Sequence, residues 1–187
     1  MALKLIQGVK GSGKTSLATK IGYDGYKKGR TILCNYHLEF PFEQINLESM
    51  ISNSNQLQDA ILIVDEAQLY FDCRLSYQKA NRLFSYIALQ SRKRNLDVIL
   101  TSQQVDNVDI RIRRNLDTLF TCYAYMIVLV KGKKKLVPCE VKDMEQHNVD
   151  RILVYEANLA MNAYAKFLFN PKKYFNLYNS DEFMTLE

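Results

Sequence analysis

Glycine and proline are scarce in this chain: 7 and 3 of its 187 residues. A collagen-like or other fibrous protein is thereby excluded. Long apolar runs are missing too. The longest, residues 120–130, reaches 11 residues only if Thr121 is forgiven, whereas a membrane-spanning helix needs about 20. The four cysteines, Cys34, Cys73, Cys122 and Cys139, share no metal-binding spacing, so neither a zinc site nor a disulfide framework is expected. The first residues run straight into a motif rather than through a signal peptide. These absences predict a soluble protein that keeps its N-terminus. With 48% hydrophobic and 24% charged residues, the composition is that of an ordinary globular domain.

The net charge of +5 conceals a pattern. Residues 1–35 carry +6, residues 36–73 carry −7, residues 74–135 carry +9 and residues 136–187 carry −3. Such concentrated basic charge suits either a phosphate-seeking surface or a solvated face.

Short, mainly apolar segments recur: Leu3–Ile6, Thr31–Cys34, Ala60–Val64 (apolar throughout) and Asp97–Thr101. Each reads as a buried strand. Helical spacing over Thr15–Lys28, and again at Ala80, Leu83, Phe84 and Ile87, separates them. Residues 36–58 read as loop, and 107–116 as a short helix. Leu119–Val130 and Lys135–Val141 read as a hairpin whose tip is Lys131-Gly132-Lys133-Lys134-Lys135. A late helix is predicted around Leu159–Phe167, before an aromatic tail at Tyr174–Tyr178. Apolar strands alternating with helices predict an α/β fold with a mainly parallel central sheet flanked by helices, followed by a C-terminal β-hairpin and helix. Ligands of such sheets bind beyond the carboxyl ends of the strands.

Gly8-Val9-Lys10-Gly11-Ser12-Gly13-Lys14-Thr15 fits the P-loop pattern at every fixed position and lies between a strand and a helix. Its backbone amides, with that of Ser16, cradle phosphate oxygens. Lys14 reaches the β- and γ-phosphates, and Thr15 offers a hydroxyl to Mg²⁺. Asp65 and Glu66 follow the third apolar strand. Asp65 suits a magnesium ligand and Glu66 a base that activates water. The competing reading of this pair is an acidic helix start. Thr101-Ser102-Gln103-Gln104 ends the fourth strand, and a polar side chain there could contact a γ-phosphate or simply close a turn. Arg92 and Arg94, or alternatively Arg111, Arg113 and Arg114, could serve a neighbouring subunit as an arginine finger or lie solvated. The lysine-rich tip suits a nucleic-acid backbone or an ordinary soluble turn.

Taken in order, GVKGSGKTS, ILIVDEAQLYF, LQSRKRNLDVILTSQQVDNVDIRIRRNLD, the hairpin and YFNLYNSDEF resemble the compact P-loop ATPases of the HerA/FtsK group, above all viral genome-packaging ATPases and the Zot-like proteins of filamentous phages. The resemblance covers about residues 1–120 well and the tail loosely. It implies an added strand between the strands that carry the P-loop and the acidic pair. It implies ATP and Mg²⁺ as cofactors, Lys14 and Thr15 on phosphate and metal, Asp65 on metal, Glu66 as catalytic glutamate, Gln103 as sensor, and Arg92 or Arg94 in the finger region. It also implies a homo-oligomeric ring, commonly a hexamer, that pumps double-stranded DNA and docks on a capsid or portal, in the cytoplasm of an infected host cell. A single ATPase domain over 1–187 is expected, with a motor core at 1–120 and the hairpin, helix and aromatic tail at 121–187. The alternative within the resemblance is a Zot-like assembly or secretion ATPase acting on a protein or membrane partner. A small-molecule kinase is disfavoured by the acidic pair and Gln103. A non-catalytic, nucleotide-gated scaffold would not need Glu66.

Overall fold

The structure is a computed structural model that describes residues 2–45, 58–70, 91, 93–139 and 149–179. Nine strands among them form one sheet: β1 Leu3–Gln7, β2 Thr31–Cys34, β3 Glu43–Gln44, β4 Ala60–Val64, β5 Asp97–Ser102, β6 Thr118–Val130, β7 Lys133–Pro138, β8 Arg151–Asn158 and β9 Ala163–Phe169. Their order is β3-β2-β4-β5-β1-β6-β8-β9, with β7 pairing on β6. Strands β1 to β5 and the start of β6 run parallel. β7, β8 and β9 join by antiparallel pairing. The expected α/β class with a mainly parallel sheet is what the chain adopts. β5 lies between β4 and β1, which is the added strand that the resemblance implies.

The strands that read as continuous apolar runs are the ones covered on both faces. On one face Ile6, Ile32, Ile61, Ile63 and Ile99 pack with Leu17 and Ala18 of helix α1, Lys14–Tyr26. Gly22 and Gly25 let this helix lie close to the sheet, since side-chain carbons there would press on Ile63 and Ile61. On the other face Leu3, Leu5, Leu62, Val98 and Leu100 pack with Val108, Ile112 and Leu116. These last residues belong to the crossover from β5 to β6, which contains the short helix α2, Ile110–Arg113.

β6 is unusually long. Lys4↔Thr118 to Gln7↔Thr121 pair it with β1, and it then continues nine residues past Thr121. At about 3.3 Å per residue this carries the strand about 30 Å beyond the carboxyl edge of the sheet. There it pairs with β7 across a tight turn at Lys131 and Gly132, both at positive φ. The predicted hairpin is present, although its second strand begins at Lys133 rather than Lys135.

Three expectations need correction or placing. The predicted C-terminal helix at 159–167 is instead the turn between β8 and β9 and the first part of β9. The alanines at 163 and 165 suggested a helix, but Ala163–Phe169 pairs in register with β8 over seven residue pairs, from Asn158↔Ala163 to Ile152↔Phe169. Asn162 at φ 49 makes the reversal, and Asn158 Oδ1 accepts from the Met161 amide at 3.0 Å. Residues 36–40, read as loop, contribute Tyr36, Leu38 and Phe40 to the core, and Glu43–Gln44 forms an edge strand. The helix predicted from Ala80, Leu83, Phe84 and Ile87 lies outside the described residues, as does Cys73. The other three cysteines are buried and outside any disulfide. Among the described residues no helix is long and apolar enough to cross a membrane.

Candidate nucleotide site

Strands β1, β4 and β5 end at the same edge of the sheet. The P-loop follows β1, Asp65 and Glu66 follow β4, and Gln103 follows β5. Parallel pairing of Leu5↔Leu100 and Val64↔Leu100 sets these three ends side by side.

The P-loop turns back on itself through Ser12 N–H to Val9 O at 3.1 Å, and the Gly8 amide donates to Gln103 O at 3.3 Å. Gly13 caps α1 at φ 90, ψ 25, a left-handed conformation, and a side-chain carbon there would collide with Ile152 of β8. Val9, Lys10 and Gly11 are exposed, while Ser12, Lys14 and Ser16 are buried. Lys14 Nζ donates to Val9 O at 3.3 Å. Ser12 Oγ is buried with no hydrogen-bond partner among the described residues. An ammonium held on a loop carbonyl and, in the same loop, a buried hydroxyl without a partner among the described residues fit a phosphate group.

Asp65 is buried against the same loop. Its carboxylate accepts from Thr15 Oγ1 at 3.0 Å and also from the Thr101 hydroxyl. Burial raises its pKa, Glu66 adds to the rise, and the hydrogen bonds from Thr101 and Thr15 with the charge of Lys14 oppose it. A buried carboxylate next to a threonine hydroxyl is a hard oxygen donor set that suits Mg²⁺.

Glu66 sits at φ 49, ψ 48, in the left-handed region, at the head of a 3₁₀ turn over Ala67–Leu69. Its side chain makes no capping hydrogen bond, while the pair stands at the start of a helical turn, as the helix-start reading requires. The Glu66 carboxylate accepts from the Gln68 carboxamide. Sequence reasoning missed Asn35, and it read Thr101 toward phosphate rather than toward the acidic pair. Asn35, just after β2, bonds both backbone groups of Asp65, and Thr101 accepts from the Glu66 amide at 3.0 Å. Their only sequence signal is a polar residue closing an apolar strand.

The remaining candidates scatter. The Gln103 side chain is exposed at the site's edge. Arg94 lies in the turn before β5, with its amide on Ser91 O and its carbonyl on the Asp59 amide. This is the opposite edge of the sheet, separated from the site by a six-residue strand, about 20 Å. Arg92 lies outside the described residues. Arg111 forks onto the buried Asp109 at 2.9 and 2.8 Å, Arg113 pairs with Asp106, and Arg114 is exposed. The lysines of the β6–β7 tip stand far from the P-loop on the projecting arm.

Comparison with known proteins places this geometry. The family described as Zonular occludens toxin (Zot) matches over residues 39–182. A comparison with curated proteins finds no match. Among solved structures, the N-terminal domain of zonular occludens toxin from Neisseria meningitidis is similar with a TM-score of 0.62 at 18% identity, covering 95% of this chain and 98% of that one. The genome packaging NTPase B204 from Sulfolobus turreted icosahedral virus 2, in complex with AMP, gives 0.57 at 13% identity, over 88% and 96% of the two chains. A third solved structure, itself an ATPase domain, gives 0.57 at 12% identity, over 96% and 85%. At these identities the likeness establishes the fold, which is that of a P-loop NTPase. Since the family match spans most of the chain and the P-loop precedes it on the same sheet, this protein belongs to the Zonular occludens toxin (Zot) family.

Proposed function

We propose that the chain is a magnesium-dependent ATPase. The observation that carries this reading is the meeting of two distant motifs: Lys14 and Thr15 of the P-loop stand against Asp65, with Glu66 next in the chain. In this reading the amides of residues 8–16 and Lys14 hold the phosphates, and Thr15 and Asp65 hold Mg²⁺, which neutralises charge on the β- and γ-oxygens when bound. Glu66 accepts a proton from the attacking water, and Gln103 reports on the γ-phosphate from the neighbouring strand end. The solved complexes of B204 with AMP, AMPPCP and ATP-gammaS support the nucleotide assignment.

We further propose that hydrolysis is coupled to movement of double-stranded DNA by a ring of subunits, a hexamer in the first instance, as in packaging a viral genome through a capsid portal. The projecting arm with Lys131, Lys133, Lys134 and Lys135 at its tip supports this reading. The distance of Arg94 from its own P-loop means that, as a finger, it serves a neighbour. A second reading, a Zot-type assembly or secretion ATPase, is favoured by the family match itself.

ATP hydrolysis with and without double-stranded DNA tests both readings, with Glu66→Gln as the blank. DNA stimulation is the expected result for the translocase. Turnover indifferent to DNA favours the assembly ATPase. Full activity in Glu66→Gln removes Glu66 from its role.

A further inference from the structure

The backbone of Glu66 holds an unfavourable conformation. At φ 49, ψ 48 a non-glycine residue is strained, and such a conformation persists where its surroundings over-determine it. Two side chains on different strands do so here. Asn35 Nδ2 donates to Asp65 O at 3.1 Å, and the Asp65 amide donates to Asn35 Oδ1 at 2.8 Å. The regular β2–β4 pairing ends at Cys34↔Ile63. The Asn35 carboxamide thus extends the ladder with a side chain in place of a backbone, as far as the residue before Glu66. From β5, Thr101 Oγ1 accepts from the Glu66 amide at 3.0 Å and donates to the Asp65 carboxylate.

Both clamps are themselves anchored. Thr101 is fully buried and lies opposite Ile6 of β1. Tyr36, next to Asn35, is buried, and its hydroxyl is 2.8 Å from Thr19 Oγ1 on α1. The same stretch continues into the C-terminal tail through the Leu38↔Tyr178 bridge and the Glu39 amide on Leu177 O at 2.9 Å.

We infer that Asn35 and Thr101 are positioning residues for hydrolysis: they hold the Asp65–Glu66 backbone so that the Glu66 carboxylate faces the γ-phosphate water. The inference rests on the proposed role of Glu66. Neither side chain needs to touch nucleotide to act.

The test is single-turnover ATP hydrolysis and ATP affinity, measured side by side for the wild type, Asn35→Ala, Thr101→Val, Thr101→Ser and Glu66→Gln. Thr101→Val keeps the side-chain shape and removes only the hydroxyl. The expected result is a loss of hydrolysis rate of about 10–100-fold in Asn35→Ala and Thr101→Val. ATP affinity stays within about twofold, and Thr101→Ser recovers most of the rate. Should Asn35→Ala fail to fold, the Thr101 pair decides. Undiminished rates in Thr101→Val beside an inactive Glu66→Gln overturn the inference and leave the role of Glu66 standing. A matching loss of ATP affinity in Thr101→Val, or no recovery in Thr101→Ser, also overturns it, because a merely structural role would do that. A fully active Glu66→Gln, or a wild type that binds ATP without turning it over, overturns the underlying reading instead.

Discussion

The Thr15 hydroxyl donates to Asp65 Oδ2 at 3.0 Å, joining residues fifty apart in the chain. Their strands, β1 and β4, are not neighbours, since β5 runs between them. The contact therefore depends on α1 starting at the carboxyl edge and leaning over the sheet. In the proposed site these two residues would hold Mg²⁺. Asp65→Asn should then bind ATP with an affinity that no longer responds to Mg²⁺, while the wild type tightens when the metal is added. Equilibrium binding with and without Mg²⁺ checks this.

Gly13 should not tolerate a side chain. Alanine there meets both the left-handed backbone and Ile152. We expect Gly13→Ala to lose about 2–4 kcal/mol of stability, from conformational strain and overpacking together. Denaturant unfolding of the two proteins gives the difference.

Asp109 is a pH-dependent stabiliser. The Arg111 guanidinium, by hydrogen bonding, holds its carboxyl below the usual carboxylate range, helped by the Arg111 amide, and burial opposes the shift. A lowered folded-state pKa means that this stability is complete above the unfolded value of about 3.9 and is lost as the pH falls through the folded value. Asp109→Asn should therefore lose about 1–3 kcal/mol at neutral pH. The gap between variant and wild type should close as the pH drops below the ordinary carboxylate range. Melting temperatures across that range test the sign.

The arm offers a separate test of the DNA reading. Leu129 and Val130 are exposed beside the lysine tip, so the tip is held out in solvent and not packed on the body. If Lys133 and Lys134 each neutralise a phosphate, replacing both by glutamine should weaken DNA binding. It should also reduce the slope of log K against log salt by about 2. An unchanged slope would assign the lysines to solubility alone.

Much of this was legible in the chain. Ala60–Val64 and Asp97–Thr101 read as buried strands because their interiors are apolar throughout, and they are strands with nearly those bounds. Leu159–Phe167 misled because its alanines and a leucine favour a helix locally, while cross-strand pairing with β8 decided the matter. Arg94 illustrates another limit. It precedes β5 in the chain and so occupies the amino end of that strand, away from the P-loop, and only a neighbouring subunit could bring it to a nucleotide.

The sequence by itself determined the chemistry on offer: a phosphate loop ending in Lys14 and Thr15, an acidic pair at Asp65 and Glu66, and apolar strands that must be buried from both sides. Local pattern suffices for these because backbone geometry and hydrophobic burial act over a few residues. Only the tertiary structure decided which of these groups meet, and what holds them. Asn35 and Thr101 reach the Asp65–Glu66 backbone because β2 and β5 flank β4. Strand order is a property of the whole packed sheet, set by how both faces are covered, and no short stretch of the chain encodes it.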